Sequence, residues 1–285
     1  MSKSNKQNRK TPSSSRAQSA DIHDLYQQSV QAPEADIEFF TETYEQLRGK
    51  KPLTMREDFC GTALLSVEWC QSDPERLAFG IDLSEETLDW GREHNIIPAG
   101  ESVAQRITLR HGNVLDPVEE KVDITCALNF SYCIFKTRDL LRQYFENARA
   151  GLAPDGILVL DLFGGTETID ILEEERDVDD ADFTYVWDQD RYNPITNEIL
   201  CYIHFNFPDG SKLERAFTYD WRLWTIPEVR EILTEAGFSK VHVYWEEFEE
   251  SDDEDDDELE GTGRYQDVEE VENQESWVIY IVAER

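Results

Sequence analysis

Apolar and polar positions change rhythm along this 285-residue chain, and the changes mark out its organisation. Between Pro52 and Leu162, short apolar runs near 53–58, 76–82, 106–110, 122–128 and 156–162 read as strands. Amphipathic stretches near 62–71, 84–95 and 137–150 read as helices, with 95–105 as a looser connection. The fifth run, Ile157-Leu158-Val159-Leu160-Asp161-Leu162, follows a Pro154-Asp155-Gly156 turn and is nearly continuous in apolar character. That texture suits a central parallel strand covered by helices on both faces. Five strands alternating with helices predict an α/β fold, a doubly wound sheet with right-handed crossovers.

The flanking regions differ. Residues 1–20, rich in Ser, Lys, Asn and Gln, predict a disordered basic arm. A helical pattern covers Asp21 to Gln31, and a second begins at Pro33-Glu34 and stops before Gly49. In the second, Ile37, Phe40, Tyr44 and Leu47 fall on one packing face. After Gly165, Phe183–Trp187, Ile199–Phe207 and Leu213–Trp221 alternate like strands, with turns at Asn193-Pro194 and Pro208-Asp209-Gly210. They predict a two- or three-stranded antiparallel insertion over about 180–222. Thr225-Ile226-Pro227-Glu228 has capping-box spacing for a helix that ends at Gly237. Val241–Trp245 and Trp277–Val282 read as two closing strands, with an acidic, disordered loop over about 246–272 between them.

Composition narrows the function classes. Net charge is −35, and the stretch from Glu246 to Glu260 holds twelve acids in fifteen positions. An acidic surface repels phosphate backbones, which argues against nucleic acid as a partner. Solubility is the plain reading of the charge, and a positively charged substrate or partner is the other. Five cysteines without a C-x-x-C pair suit reduced, mostly buried thiols in a cytoplasmic protein. Cys60 has no nearby histidine in sequence to make it a nucleophile and reads as filler. The five histidines lack metal-ligand spacing, so no metal is expected. No apolar run reaches the ~20 residues that span a bilayer, and the polar, basic N-terminus lacks a secretory h-region.

The chemistry concentrates in Thr54-Met55-Arg56-Glu57-Asp58-Phe59-Cys60-Gly61-Thr62-Ala63-Leu64-Leu65 and, downstream, Gly80-Ile81-Asp82-Leu83-Ser84. A strand ends in acids, turns tightly at Gly61, enters an apolar helix, and a second strand ends in a carboxylate. This resembles the first two motifs of class I S-adenosylmethionine-dependent methyltransferases. Glu57 falls on that family's acidic position at the end of the first strand, which orders the cofactor's amino end. Asp58 takes the role if the register slips by one. Gly61 falls on the middle of three loop glycines, whereas Phe59 and Ala63 occupy the other two. The resemblance makes Asp82 the ribose-binding acid and packs Leu83 near the adenosine. Gly112-Asn113-Val114-Leu115-Asp116 resembles the adenine-edge motif, with the Asn113 amide as hydrogen-bond acceptor and Asp116 as a turn residue. Asn129, Ser131 and Tyr132 follow the fourth strand, where the family faces the transferable methyl. They are candidates for orienting an acceptor or plain turn residues, and Asn129 and Tyr132 are the catalytic candidates.

Two weaker candidates complete the cofactor set. Arg56 either clamps the cofactor's carboxylate or pairs with a surface acid. Tyr26 sits on an N-terminal helix, within 21–50, that either lids the cofactor or packs into the core. Phe183, Tyr185, Trp187, Tyr202, Phe205, Phe207, Tyr219, Trp221 and Trp224 either wall an acceptor pocket or form the insertion's own core. The resemblance thus implies a seven-stranded sheet whose last strand is antiparallel, over 51–285, and S-adenosylmethionine as cofactor. Methyl transfer by in-line displacement rests on positioning and needs no dedicated base. A small molecule is the expected acceptor, and an acidic surface would also suit a basic protein. The alternatives are a non-catalytic acidic interaction protein on this scaffold and an NAD-dependent oxidoreductase. The latter wants G-x-G-x-x-G, which Phe59, Gly61 and Leu64 do not supply.

Overall fold

A computed structural model of the chain describes residues 15–179, 181–250 and 259–285. Most of the expected basic arm and the most acidic stretch, 251–258, lie outside the described residues. A single turn, α1 (Arg16–Ser19), precedes α2 (Ile22–Val30), which Asp21 caps by accepting the N–H groups of His23 and Asp24. The next helix, α3 (Pro33–Arg48), starts on its proline and stops at Gly49, whose φ of 68° a side chain would resist. Its stripe buries Ile37, Phe40 and Tyr44 against the sheet, with Leu47 partly covered.

The alternating core follows as β1 (Thr54–Asp58), α4 (Leu64–Ser72), β2 (Leu77–Asp82) and α5 (Glu85–Gly91), which runs on into a π-helical turn at Arg92–Ile96. Then come α6 (Glu101–Ala104), β3 (Ile107–His111), β4 (Val122–Ala127), α7 (Arg138–Gly151) and β5 (Leu152–Gly164). These five strands are parallel, in the order β3-β2-β1-β4-β5. After the insertion come α8 (Ile226–Glu235), with its Thr225/Glu228 capping box, and β10 (Lys240–Glu250), β11 (Leu259–Asp267) and β12 (Trp277–Glu284). Strand β12 inserts antiparallel between β5 and β10.

The sheet has eight strands, not the expected seven. The eighth, β11, pairs with β10 where a disordered acidic loop was expected. Side-chain anchoring outweighs the charge there: Tyr265 of β11 packs edge-on against Phe39 at 5.3 Å and Tyr280 at 4.8 Å. The insertion is likewise larger than expected, with β6 (Leu172–Asp177), β7 (Thr184–Asn193), β8 (Glu198–Asn206) and β9 (Lys212–Arg222) in a separate antiparallel sheet. The sequence of β6, Leu-Glu-Glu-Glu-Arg-Asp, carries no strand signature, and pairing with β7 forms it.

Two features place a site. Strand β1 lies between β2 and β4, so the chain winds away from β1 in both directions. The loops that follow β1 and β4 then part at the strands' carboxyl ends and open a crevice. The small sheet covers that end. One face carries Tyr185, Trp187, Ile203, Phe217, Tyr219 and Trp221, and Leu25 of α2 packs onto that same face in a cluster with Ile203 and Phe205.

Candidate active site

The loop after β1 has the backbone of a three-glycine turn built with only one glycine. Phe59, Gly61 and Ala63 all take left-handed φ, at 59°, 51° and 57°. A side chain in that region costs about 1–2 kcal/mol, so something must hold it there. The Cys60 N–H donates to the Ile81 carbonyl at 3.0 Å and the Ala63 N–H to the Cys60 carbonyl at 2.7 Å. The Gly61 N–H donates to Asp82 Oδ2 at 2.9 Å. Thr62 receives Gln27 Nε2 on its hydroxyl at 2.6 Å and Asn95 Nδ2 on its carbonyl at 2.9 Å. Gly91 lets the loop settle, since a Cβ there would meet the Thr62 carbonyl oxygen at 2.3 Å. A Cβ on Gly61 would meet nothing, because that face opens into the crevice.

The crevice holds a cavity of about 220 Å³ whose floor is acidic. Glu57 lies at the end of β1 and takes both bonds from Ser66 on Oε2: the backbone N–H at 3.1 Å and the hydroxyl at 2.5 Å. Burial pushes its carboxyl up to about 8, against the pull of Ser66. Asp36 of α3 also reaches the cavity and accepts the Tyr280 hydroxyl at 2.5 Å; burial raises it to about 6. A third acid, Asp58, borders the cavity, but its charge is spent. Arg56 grips it in a fork, Nε to Oδ1 at 2.9 Å and Nη2 to Oδ2 at 3.0 Å, and the Tyr144 hydroxyl donates at 3.0 Å. At neutral pH Asp36 is the ionised carboxyl of this floor and Glu57 holds its proton, so an ammonium or sulfonium would pair with Asp36 directly and with Glu57 on its ionisation.

At the end of β4 the chain is strained again. Asn129 and Phe130 are consecutive left-handed residues, at φ 54° and 56°. Asp161 of β5 fixes them by accepting the Asn129 N–H at 2.6 Å and the Phe130 N–H at 2.9 Å, while burial lifts its carboxyl to about 8. This turn aims Asn129 at the boundary of two cavities. The second cavity, about 260 Å³, lies between the turn and the small sheet and is walled by aromatic rings. Tyr26, Asn129 and Tyr219 border both cavities. Tyr26 and Tyr219 act electrostatically on each other, and the Tyr26 ring packs 4.8 Å from Phe217.

Of the residues singled out by sequence, Tyr26, Glu57, Asp58, Gly61, Asn129 and Ser131 line the first cavity. Asp82 is outside the cavity lining and is tied to it through Gly61, with Oδ2 accepting the Gly61 N–H at 2.9 Å and Oδ1 the Ser84 N–H at 2.8 Å. Others are placed differently. Tyr132 is fully buried, with its hydroxyl on the Asp161 carbonyl at 2.8 Å, so it faces neither cavity. Arg56 is neither a carboxylate clamp nor a surface residue, because Asp58 holds it inside the core. Asn113 spends its amide oxygen on the Leu115 N–H of its own turn at 2.9 Å, and Val114 is in the core. Leu83 is 62% exposed and outside the cavity lining.

The aromatic set divides. Tyr185, Trp187, Tyr219 and Trp221 line the second cavity, whereas Phe183, Phe205 and Phe207 form the core beneath α2. Tyr202 stacks under Arg215 at 4.3 Å, and Trp224 under Arg222 at 3.9 Å. Sequence reasoning missed Asp36 and Asp161. Each carried a signal: Asp36 shares a helical stripe with Phe40 and Tyr44, and Asp161 interrupts an apolar strand.

This architecture is the fold of class I S-adenosylmethionine-dependent methyltransferases, as its likeness to solved structures shows. DesVI of Streptomyces venezuelae aligns with a TM-score of 0.65 at 18% identity, covering 92% of this chain and 96% of that one. CalS10 of Micromonospora echinaspora, an amino pentose methyltransferase solved with S-adenosylmethionine, aligns at 0.64 and 16%, covering 92% and 95%. A methyltransferase from Clostridium acetobutylicum aligns at 0.63 and 14%, covering 92% and 97%. No protein-family model and no curated protein matches the chain.

Proposed function

We propose that this chain is an S-adenosylmethionine-dependent methyltransferase that acts on a small-molecule acceptor. The carrying observation is the pair of adjoining cavities that share Tyr26, Asn129 and Tyr219. A cofactor in the first cavity and an acceptor in the second would meet at those three side chains. The cofactor supplies an electrophilic methyl on a sulfonium. The chain's part is to hold, orient and exclude water. Glu57 and Asp36 bind the cofactor's ammonium, the open face of Gly61 admits it closely, and Asp82 takes the ribose hydroxyls on its remaining lone pairs. Tyr26 on α2 closes the cavity, and Asn129 orients the acceptor along the sulfur–carbon axis. The cofactor, when bound, would supply the methyl group to the acceptor's lone pair, and the acceptor's proton would leave to water.

The acidic floor favours this reading over a nicotinamide dinucleotide, whose pyrophosphate would face Glu57 and Asp36 with only His23, held towards its neutral form by burial, as a base among the described lining residues. Two of the similar structures are described as amino pentose or sugar N-methyltransferases, which supports a small acceptor. Calorimetry with S-adenosylmethionine, its demethylated product and NAD tests the cofactor. Binding of the first two and not the third is expected, and binding of none would favour a non-catalytic interaction protein. Incubation of a small-molecule extract with methyl-deuterated cofactor, read by mass spectrometry, then identifies the acceptor.

A further inference from the structure

We infer that the second cavity is built for a compact cationic amine that carries no phosphate or carboxylate of its own. This rests on the methyl-transfer reading above and specifies its acceptor: the amine binds as its ammonium and would lose one N–H proton to water, freeing the lone pair, before it accepts a methyl. Glu174 of β6 lies directly opposite Trp187 of β7 in the small sheet, so a carboxylate stands on the face that otherwise presents rings. Glu167 lines the same cavity from the short helical turn Thr166–Ile169 after β5. The rings are packed together, Tyr219 against Trp221 at 4.2 Å and Trp187 against Trp221 at 6.4 Å between centroids. Their faces carry negative quadrupoles that attract a cation, most strongly when it is desolvated.

The remaining polar groups agree. Gln189 donates its amide nitrogen to the carbonyls of Glu167 and Asp170, each at 3.0 Å, so its carbonyl oxygen is the end left for a ligand N–H. No Lys, Arg or His is among the described residues that line the cavity. Arg176, the next cation along this face of β6, donates to the Ser29 carbonyl and lies 5.3 Å from the Tyr185 ring centre. A phosphate or carboxylate would therefore sit between two carboxylates and the faces of the rings, with no opposite charge to hold it. An ammonium would instead meet the two carboxylates, the Gln189 carbonyl oxygen and the rings.

The test uses the full chain saturated with S-adenosylhomocysteine and three probes: choline, its uncharged isostere 3,3-dimethylbutan-1-ol, and phosphocholine. Tryptophan fluorescence reports occupancy next to Trp187 and Trp221. Choline is expected to bind about tenfold more tightly than the isostere, the cation–ring increment in affinity terms. Phosphocholine is expected to bind more weakly than choline. In E167Q/E174Q the advantage of choline falls below about threefold, with the melting temperature unchanged because Glu174 is exposed and Glu167 only half-buried. Absence of choline binding, parity with the isostere or tighter phosphocholine binding overturns the inference. Calorimetry on the same sample separates the two readings. Cofactor binding without a preference for the cation overturns the amine alone. A preference for the cation without cofactor binding overturns methyl transfer alone.

Discussion

Replacing Glu57 by glutamine should remove a proton release from cofactor binding, and the structure sets its size. Burial holds the Glu57 carboxyl at about 8 in the cofactor-free site. If the cofactor's ammonium pairs with the carboxylate, the acid must ionise first when the pH is below 8. Half the sites are already ionised at that value, so affinity should fall about fivefold from pH 8 to 7 and about tenfold again to pH 6, the last unit costing about 1.4 kcal/mol. Close to one proton should leave per cofactor bound at pH 6.5. Isothermal titration calorimetry in two buffers of different ionisation enthalpy measures both quantities. Glu57→Gln holds no proton to lose, so its affinity should be flat over pH 6–8 and its proton release near zero. A wild-type profile as flat as that of Glu57→Gln would refute the pairing. A slope that survives in the variant would move it to Asp36, the other carboxyl on the floor.

The same shift predicts stability without cofactor. Glu57 holds its proton in the folded state above the unfolded value of 4.5, so its contribution is fully present below about 4.5 and is lost as pH rises to about 8. Melting temperature should therefore fall from pH 5 to 8.5 in the wild type, and less steeply in Glu57→Gln. Asp161→Ala orphans the Asn129 and Phe130 N–H groups and should cost at least about 2 kcal/mol in urea unfolding; a cost under about 0.5 kcal/mol would free that turn from Asp161. Gly91→Ala drives a methyl into the Thr62 carbonyl and should destabilise by about 1–3 kcal/mol, whereas Gly61→Ala should cost about 1 kcal/mol and abolish cofactor binding. Asp82→Ala should weaken the cofactor at least about tenfold by calorimetry, since the loop loses its Gly61 anchor.

The sheet was legible because strand and helix periodicity alternate over a hundred residues, and because buried strands such as Ile157–Leu162 announce themselves. The end of β1 was legible too, since acids before a glycine turn are local. What escaped depends on distant partners. Arg56 looks exposed in sequence, and only Asp58, Tyr144 and the packing around Gly151 make it internal. Asn113 and Tyr132 stand at the ends of strands, as site residues do, but a one-residue rotation decides whether such a group faces a ligand or its own turn. Strand β6 is invisible without β7.

The loop at residues 59–63 shows why a glycine fingerprint is an incomplete guide. What the site needs is a backbone that turns left-handed three times, and glycine is the easiest way to provide it. Phe59 meets the same need and returns some of the strain as packing, with its ring 5.9 Å from Phe135 and 5.8 Å from Tyr144. Ala63 is fully buried where a longer side chain would not fit the start of α4. Glycine at 59 would relieve about 1–2 kcal/mol of backbone strain but forfeit those ring contacts and free the unfolded chain. The tethers from Ile81, Asp82, Gln27 and Asn95 explain why the conformation persists without the glycines. Gln27 is on α2, so the helix that lines the cavity with Tyr26 also holds the loop in shape.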